Sequence, residues 1–191
     1  MAHRLMWVDG MYYDVIIAGF GGQGILLAGN ILAYAAMKEG KHVSFLPTYG
    51  VEMRGGTANC AVVVSTREIG SPIIGSPLSA IIMNHPSLMK FGNHLKPGGL
   101  LLLNSSLVNP KNVLKREVEL VSIPLNEIAS QLGNAKLANM VALGAYVEKT
   151  QIIKEASISN ALINVLDERH HTMIPANLEA IKQGRDFIRD L

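Results

Sequence analysis

Two glycine-rich segments carry the residue types and spacings that could do chemistry. The first is Gly19-Phe20-Gly21-Gly22-Gln23-Gly24, in which three glycines follow the pattern G-x-G-x-x-G. Between a strand and a helix, that spacing makes a tight turn whose free N–H groups attract a phosphate. Gly21, Gly22, Gln23 and Gly24 are therefore candidate binding residues. A dinucleotide site also needs an acid about 20 residues on, at the end of the second strand. Here that stretch reads Val43-Ser44-Phe45-Leu46-Pro47, and Glu39 comes before it. A nucleoside-triphosphate loop fits less well, because Ile25 and Leu26 stand where Lys and Ser/Thr are needed. The other reading is architectural. The glycines let strand, helix and a neighbouring backbone approach closely, and Gln23 is free to hydrogen-bond across an interface.

The second segment is Tyr49-Gly50-Val51-Glu52-Met53-Arg54-Gly55-Gly56-Thr57-Ala58-Asn59-Cys60. A generic loop explains its glycines but not Glu52, Arg54, Thr57 and Asn59 on a segment that enters a strand. The planar guanidinium of Arg54 suits a carboxylate or a phosphate. Glu52 could instead pair with it and simply pin the loop. Tyr49, Gly50, Glu52, Arg54, Gly55, Gly56, Thr57 and Asn59 form a candidate interface or cleft loop.

Other reactive residue types offer less. Cys60 sits in an apolar run and reads as a small buried hydrophobe. His170 and His171 are adjacent, so they do not share a helical face, and they are expected to end a helix before Pro175. His85 and His94 flank a short helix with no third ligand in view. Lys182, Arg185 and Arg189 form a stripe at i, i+3, i+7 near the C-terminus, which reads as a solvated face.

The elements that must position these segments can be read from periodicity and punctuation. Tyr13 to Ala18 is a β-branched, nearly all-apolar strand, as a strand buried on both faces should be. Gly24 to Lys38 is a helix with an apolar face of Ile25, Leu26, Ala28, Gly29, Leu32, Ala33 and Ala36. Gly40 fits its C-terminal cap. Strands are expected at His42 to Leu46, Ala58 to Ser65, Ala80 to Met83, Leu100 to Leu103 and Val118 to Ile123. Pro86 opens a short helix ending near His94. After Pro124 helices take over, at 125–131, 137–149, 153–166 and 176–190. The expected fold is a three-layer α/β/α domain with a helical C-terminal part. Its central sheet should be mostly parallel, with room for an antiparallel member at Thr57 to Ser65, because that strand follows a long loop rather than a helix.

Composition narrows the function. A chain of 191 residues suits one domain, 1–191, with 1–11 as an N-terminal extension. Hydrophobic residues make up 49% and charged residues 17%, which allows a large core and suggests that another chain covers part of the surface. A net charge of +2 without a basic cluster argues against nucleic acid. One cysteine cannot make an internal disulfide or a multi-thiolate metal site. No apolar run is long enough to span a membrane or act as a secretory signal, which points to a reducing, cytoplasmic setting.

Taken together, Gly19-Phe-Gly-Gly-Gln-Gly24 and Tyr49-Gly-Val-Glu-Met-Arg-Gly-Gly56 resemble the gamma subunit of 2-oxoacid:ferredoxin oxidoreductases. The spacing between the motifs and the later Ile69-Gly-Ser-Pro72 match as well, and the resemblance covers about Tyr13 to Lys182. Glu52-Met-Arg-Gly-Gly-Thr-Ala-Asn-Cys60 looks most like the 2-oxoglutarate branch. Gamma subunits for pyruvate, branched-chain 2-oxoacids or indolepyruvate are the alternatives, and a Rossmann-type NAD-binding oxidoreductase domain is a second one. The resemblance implies a complex that uses thiamine diphosphate, Mg, iron–sulfur clusters and coenzyme A, and that passes electrons to ferredoxin. It implies alpha, beta and delta subunits as partners. This chain lacks the Gly-Asp-Gly thiamine motif and any Cys-x-x-Cys, so it should bind none of these cofactors by itself. Alone it should be inactive, and its partner face could pair two copies. Arg54 and the Gly21–Gly24 amides are the residues expected on the coenzyme A side or at a subunit interface.

Overall fold

The computed structural model describes residues 6–7, 10–49, 56–113 and 117–191. Six strands form one path, in the order β3 (His42–Tyr49), β4 (Thr57–Ser65), β2 (Gly10–Phe20), β5 (Ser79–Ile82), β6 (Leu100–Asn104) and β7 (Glu119–Ile123). A two-residue strand, β1 (Met6–Trp7), pairs antiparallel with the start of β2. Strands β2, β5, β6 and β7 pair in parallel. Strand β4 runs against both of its neighbours, which is the mixed sheet that the long preceding loop suggests.

Among the described residues, six helices flank the sheet: α1 (Ile25–Lys38), α2 (His85–Phe91), α3 (Leu125–Gln131), α4 (Ala138–Thr150), α5 (Glu155–Val165) and α6 (Ile174–Arg189). They are unevenly divided. Alternate residues of the strands, such as Val15, Ile17, Val62, Ile81 and Leu102, face a deep core shared with α1, α3, α4, α5 and α6. The other set, Ile16, Ala18, Ala80, Ile82, Leu101 and Leu103, faces a thin core closed by Leu88 of α2, Leu95 and Val108. On the thick side Ile31 and Leu32 are wholly buried, each stabilising the fold by about 1.5–3 kcal/mol.

Several boundaries differ from the sequence reading. Strand β2 begins at Gly10, because Tyr12, Tyr13 and Asp14 continue the ladder to Ser65, Val64 and Val63. Gly10 and Met11 therefore lie in the sheet rather than before it. Strand β3 runs on through Pro47 to Tyr49. It lies at the end of the strand order and pairs on one side only, so a residue without an N–H is tolerated. His170 and His171 lie in a 3-10 turn, Glu168–Met173, rather than at the end of an α-helix. Gly40 caps α1 as expected, with φ +76. The Gly40 and Lys41 N–H groups donate to the Met37 and Ala36 carbonyls, at 3.0 and 3.2 Å.

Helices α4 and α6 cross closely through glycine. A Cβ on Gly184 would lie 1.9 Å from the Val141 carbonyl oxygen, and one on Gly144 2.0 Å from that of Ile181. Helix α4 is buried at every residue from Ala138 to Val147. It forms a rigid strut that runs from one end of the sheet to the other.

Candidate functional site

The two motifs meet. Strand β2 ends at Phe20, which stands opposite Thr57, the first residue of β4. Tyr49, the last residue of β3, stands opposite Ala58. Both ends of the second motif therefore sit at the carboxyl edge of the sheet, beside the Gly-rich turn. The Gly21 N–H donates to the Gly56 carbonyl oxygen at 2.9 Å. Ligands of open α/β sheets gather outside the carboxyl ends of the strands. Of the second motif, Tyr49 is described only through its backbone, and Gly50, Val51, Glu52, Met53, Arg54 and Gly55 lie outside the described residues. Thr57 and Asn59 are half-buried on β4.

The turn has left-handed backbone where only glycine is unstrained: φ is +95 at Gly22 and +71 at Gly24. Gly19 is needed for space instead. A Cβ there would lie 2.7 Å from Ile25 Cδ1 and 3.0 Å from Met83 Cβ. Gln23 does not reach outward with its carbonyl end. Its Oε1 accepts the Phe20 N–H at 2.7 Å and a longer bond from Asn84 Nδ2 at 3.4 Å, so it closes the turn from within. Gly24 is the N-cap of α1, and no side chain caps that end.

Carboxamides line the rest of this edge. Asn84, after β5, takes the Ser87 N–H at 2.9 Å and caps α2. Asn104, the last residue of β6, is fully buried. Its Nδ2 donates to Asn126 Oδ1 at 2.8 Å and to the Met83 carbonyl at 3.3 Å, and its Oδ1 accepts the Ser106 N–H at 3.3 Å. Ser106 takes the Asn126 N–H at 3.0 Å and donates its hydroxyl proton to Glu127. Asn139, in the first turn of α4, donates to the Gly24 carbonyl at 3.0 Å. An open recess of about 180 Å³ lies among Gly22, Gln23, Met83, Asn126, Lys136 and Ala138.

Sequence reasoning missed Asn84, Asn104, Asn126 and Asn139. A signal existed for two of them. Asn84 and Asn104 each follow an unbroken apolar run, and a polar residue at that point marks the carboxyl end of a buried strand. The other two become visible only once the fold brings α3 and α4 to the same edge.

The remaining candidates resolve as structure. Burial pushes the Cys60 thiol up to about 12. Its Sγ donates to the Ile25 carbonyl at 3.7 Å and stands where a Cβ on Gly29 would come within 2.4 Å of it. His85 faces Asn112, at 3.4 Å. Arg185 and Arg189 do not form a merely solvated stripe: Arg185 pairs with Glu155, and Arg189 holds Glu148 through two bonds at 2.9 and 3.0 Å. Among the described residues, no three His, Cys, Asp or Glu side chains gather to hold a metal ion, and no helix is long and apolar enough to cross a membrane.

The topology also bears on the dinucleotide reading. In that fold the strand after the first helix lies beside the first strand. Here β4 separates β3 from β2, and β3 ends in Pro47, Thr48 and Tyr49. None of those three residues is an acid for a ribose, and β3 does not lie beside β2 to place one.

Comparison with known proteins agrees with the two-motif reading. A chain 35% identical over 176 residues is the ketoisovalerate oxidoreductase subunit VorA of Methanothermobacter thermautotrophicus; the match covers 92% of this chain and 36% of VorA. This chain thus spans about a third of that relative. The 2-oxoglutarate synthase subunit KorC of Methanothermobacter marburgensis is 32% identical over 185 residues, covering 92% of this chain and 100% of KorC. Among solved structures, a keto/oxoacid ferredoxin oxidoreductase gamma subunit from Geobacter sulfurreducens superposes with a TM-score of 0.80 at 28% identity, over 94% of this chain and 99% of that one. The model of the pyruvate ferredoxin/flavodoxin oxidoreductase family matches residues 14–187, from the buried Asp14 of β2 to Phe187 near the end of α6, and the chain belongs to that family.

Proposed function

We propose that this chain is the gamma subunit of a multi-subunit, thiamine-diphosphate-dependent 2-oxoacid:ferredoxin oxidoreductase of the cytoplasm, acting on 2-oxoglutarate. In this reading the chain is a single domain that works beside alpha, beta and delta subunits, with ferredoxin receiving the electrons. Its carboxyl edge lies beside the cleft by which coenzyme A approaches. The observation that carries the reading is the 2.9 Å bond from Gly21 to Gly56. It joins the two motifs into one polar edge, which among the described residues carries no catalytic constellation. The choice of 2-oxoglutarate is supported by likeness to KorC over that protein's whole length. The VorA likeness keeps branched-chain oxoacids as the second reading.

The residues present do not fit the cofactors that do the chemistry. The single cysteine is buried and bonded, and the thiamine motif is absent from the sequence. No step through those groups is assigned to this chain. What its own residues can do is shape one wall of the cleft. Within Gly21–Gly24 the Gly21 and Gln23 N–H groups are already given to the Gly56 and Phe20 carbonyls, so Gly22 and Gly24 are the amides this turn would offer a ligand. Arg54, two residues before Gly56, offers a guanidinium for a phosphate or carboxylate.

The test uses the assembled enzyme. Arg54→Ala should raise the KM for coenzyme A or the oxoacid, or lower kcat, by about tenfold or more, as the loss of a charge-assisted hydrogen bond does. Unchanged kinetics in an intact complex would remove the cleft role.

A further inference from the structure

Helix α4 holds a polar side chain that its packing does not require. From Ala138 to Val147 every residue is buried, and most are aliphatic. Asn139, 5% exposed, is an exception. Burying a carboxamide costs free energy unless its hydrogen bonds are made, so an aliphatic residue would suit this position better if packing were all that mattered. Tyr146, the other polar residue buried on this helix, bonds Ser79 inside the core, at 2.8 Å. Asn139 instead reaches out of the helical layer to the Gly-rich turn.

The contact is specific. Asn139 Nδ2 donates to the Gly24 carbonyl at 3.0 Å, while Oδ1 takes the neighbouring Met140 N–H, also at 3.0 Å. Gly24 is the left-handed residue on which the turn becomes α1. A Cβ there would stand 2.2 Å from the Asn139 nitrogen, so the glycine and the asparagine fit as a pair. The turn is thus held at three points. Gln23 closes it from within, Gly56 takes the Gly21 N–H from the second motif, and Asn139 ties its exit to α4. Only the last of these anchors the turn to the helical layer, which the crossing of α4 with α6 makes rigid.

We propose that Asn139 is a positioning residue for the oxidoreductase reaction. It sets where the Gly21–Gly24 backbone lies, and so how that backbone meets coenzyme A. The inference rests on the cleft reading given above. Asn139 touches no substrate and acts through Gly24.

In the assembled complex, Asn139→Ala should raise the KM for coenzyme A by up to about tenfold, the factor that corresponds to losing one hydrogen bond; the Gly24 carbonyl keeps the Ala28 N–H, so the turn is released from α4 rather than left unpaired. The KM for the oxoacid and the assembly of the complex should not change. Asn139→Asp keeps the shape but loses the donor, and should behave like the Ala variant; Asn139→Gln keeps the donor and should restore part of the affinity. A double-mutant cycle gives a readout that general loosening would not move. Gly24→Ala should raise the same KM, and should do so less in an Asn139→Ala background, because the side chain it collides with is gone while the strain of an alanine at φ +71 remains. Additive effects, or parallel changes in both KM values, would reduce Asn139 to a packing residue. Arg54→Ala changing the KM while Asn139→Ala leaves it alone would remove the positioning role only. If both variants are silent in an intact complex, the cleft reading falls with it.

Discussion

The two ends of the sheet are held together in different ways. At the carboxyl edge, the contacts around the Gly-rich turn are made by neutral carboxamides: Gln23, Asn84, Asn104, Asn126 and Asn139. At the amino edge they are made by charges. Glu39 takes Lys41 Nζ at 2.8 Å and the Lys154 N–H and Ser157 hydroxyl at 2.6 Å each, Arg189 holds Glu148, and Lys149 pairs with Glu119 at 2.6 Å. Glu39, Lys41, Lys154, Ser157, Glu148 and Arg189 line a wide cleft of about 800 Å³ at that end. Helix α4 joins the two systems, with Asn139 near its start and Glu148 near its end. The difference is instructive. Neutral amides hold a turn in place without titrating and without a field that competes with an incoming charged group. Ion pairs at a partly open surface answer to pH and salt. The end proposed to meet a phosphate-bearing ligand is the end whose turn is held by carboxamides, with Glu127 joining through Ser106 and Lys136 beside the recess.

The largest test of this contrast is Asn104→Ala. It would remove three hydrogen bonds at a fully buried site and leave Asn126 Oδ1 and the Ser106 N–H without their partner. The expected cost is about 3 kcal/mol, which corresponds to a fall in Tm of about 6–12 °C for a chain of this size. Because no titrating group is lost, the loss should be the same at pH 5 and pH 8. A strong pH dependence in the thermal melts would show that the carboxyl edge is not the neutral framework described here.

Asn104 also shows how far the sequence could be read. The apolar runs of β2, β5 and β6 identified their strands, since a strand buried on both faces has almost no other pattern available. The helices after Pro124 were equally plain. The Gly19–Gly24 turn and the Tyr49–Gly56 loop were legible as motifs, and their type was enough to link them. Their contact was not, because it depends on β4 returning antiparallel beside β2. The role of the Gln23 oxygen was hidden for a related reason: its spacing from Phe20 matters only once the turn exists, and then the oxygen accepts the Phe20 N–H inside it. Asn126 and Asn139 come from helices far along the chain. No local pattern says that they finish at the same edge.

At the opposite end, Glu39→Gln should cost about 1 kcal/mol, less than the change at Asn104, since the amide can still accept from Lys154 and Ser157. Here the pH dependence is the point. Burial pushes the Glu39 carboxyl up, but the bonds from Lys41, Ser157 and the Lys154 N–H, with the charge of Lys41, outweigh it and hold the group below its ordinary value. A depressed carboxyl stabilises the fold above its unfolded pKa, and that contribution is lost as pH falls through the folded one. Urea melts should therefore show the Gln variant weaker at pH 7 and level with the parent near pH 3. An equal deficit at both values would mean that the charge of Glu39 contributes nothing.

Asp14 gives the smallest effect, with the opposite slope. It sits 2% exposed near the amino end of β2 and accepts the Leu78 N–H at 2.6 Å. Burial raises its pKa, and the bonds from Leu78 and Tyr12 and the charge of Lys96 recover only part of that rise. A carboxyl raised on folding favours the native state below its unfolded pKa and weakens it as pH climbs through the folded value. Asn in its place keeps an acceptor for Leu78 and never ionises. Asp14→Asn should thus gain on the parent between pH 4 and pH 7, by less than about 1 kcal/mol, since the retained hydrogen bonds already offset much of the burial cost. Two carboxylates at the same end of the sheet would then respond to acid in opposite directions: Glu39 lends support that acid removes, and Asp14 withholds support that acid restores. If Asp14→Asn instead lost stability as pH rose, the ionised carboxylate would be the better partner for Leu78. The amino edge would then be held by charge even in its buried part, and the contrast with the carboxamides around Gly24 would be sharper still.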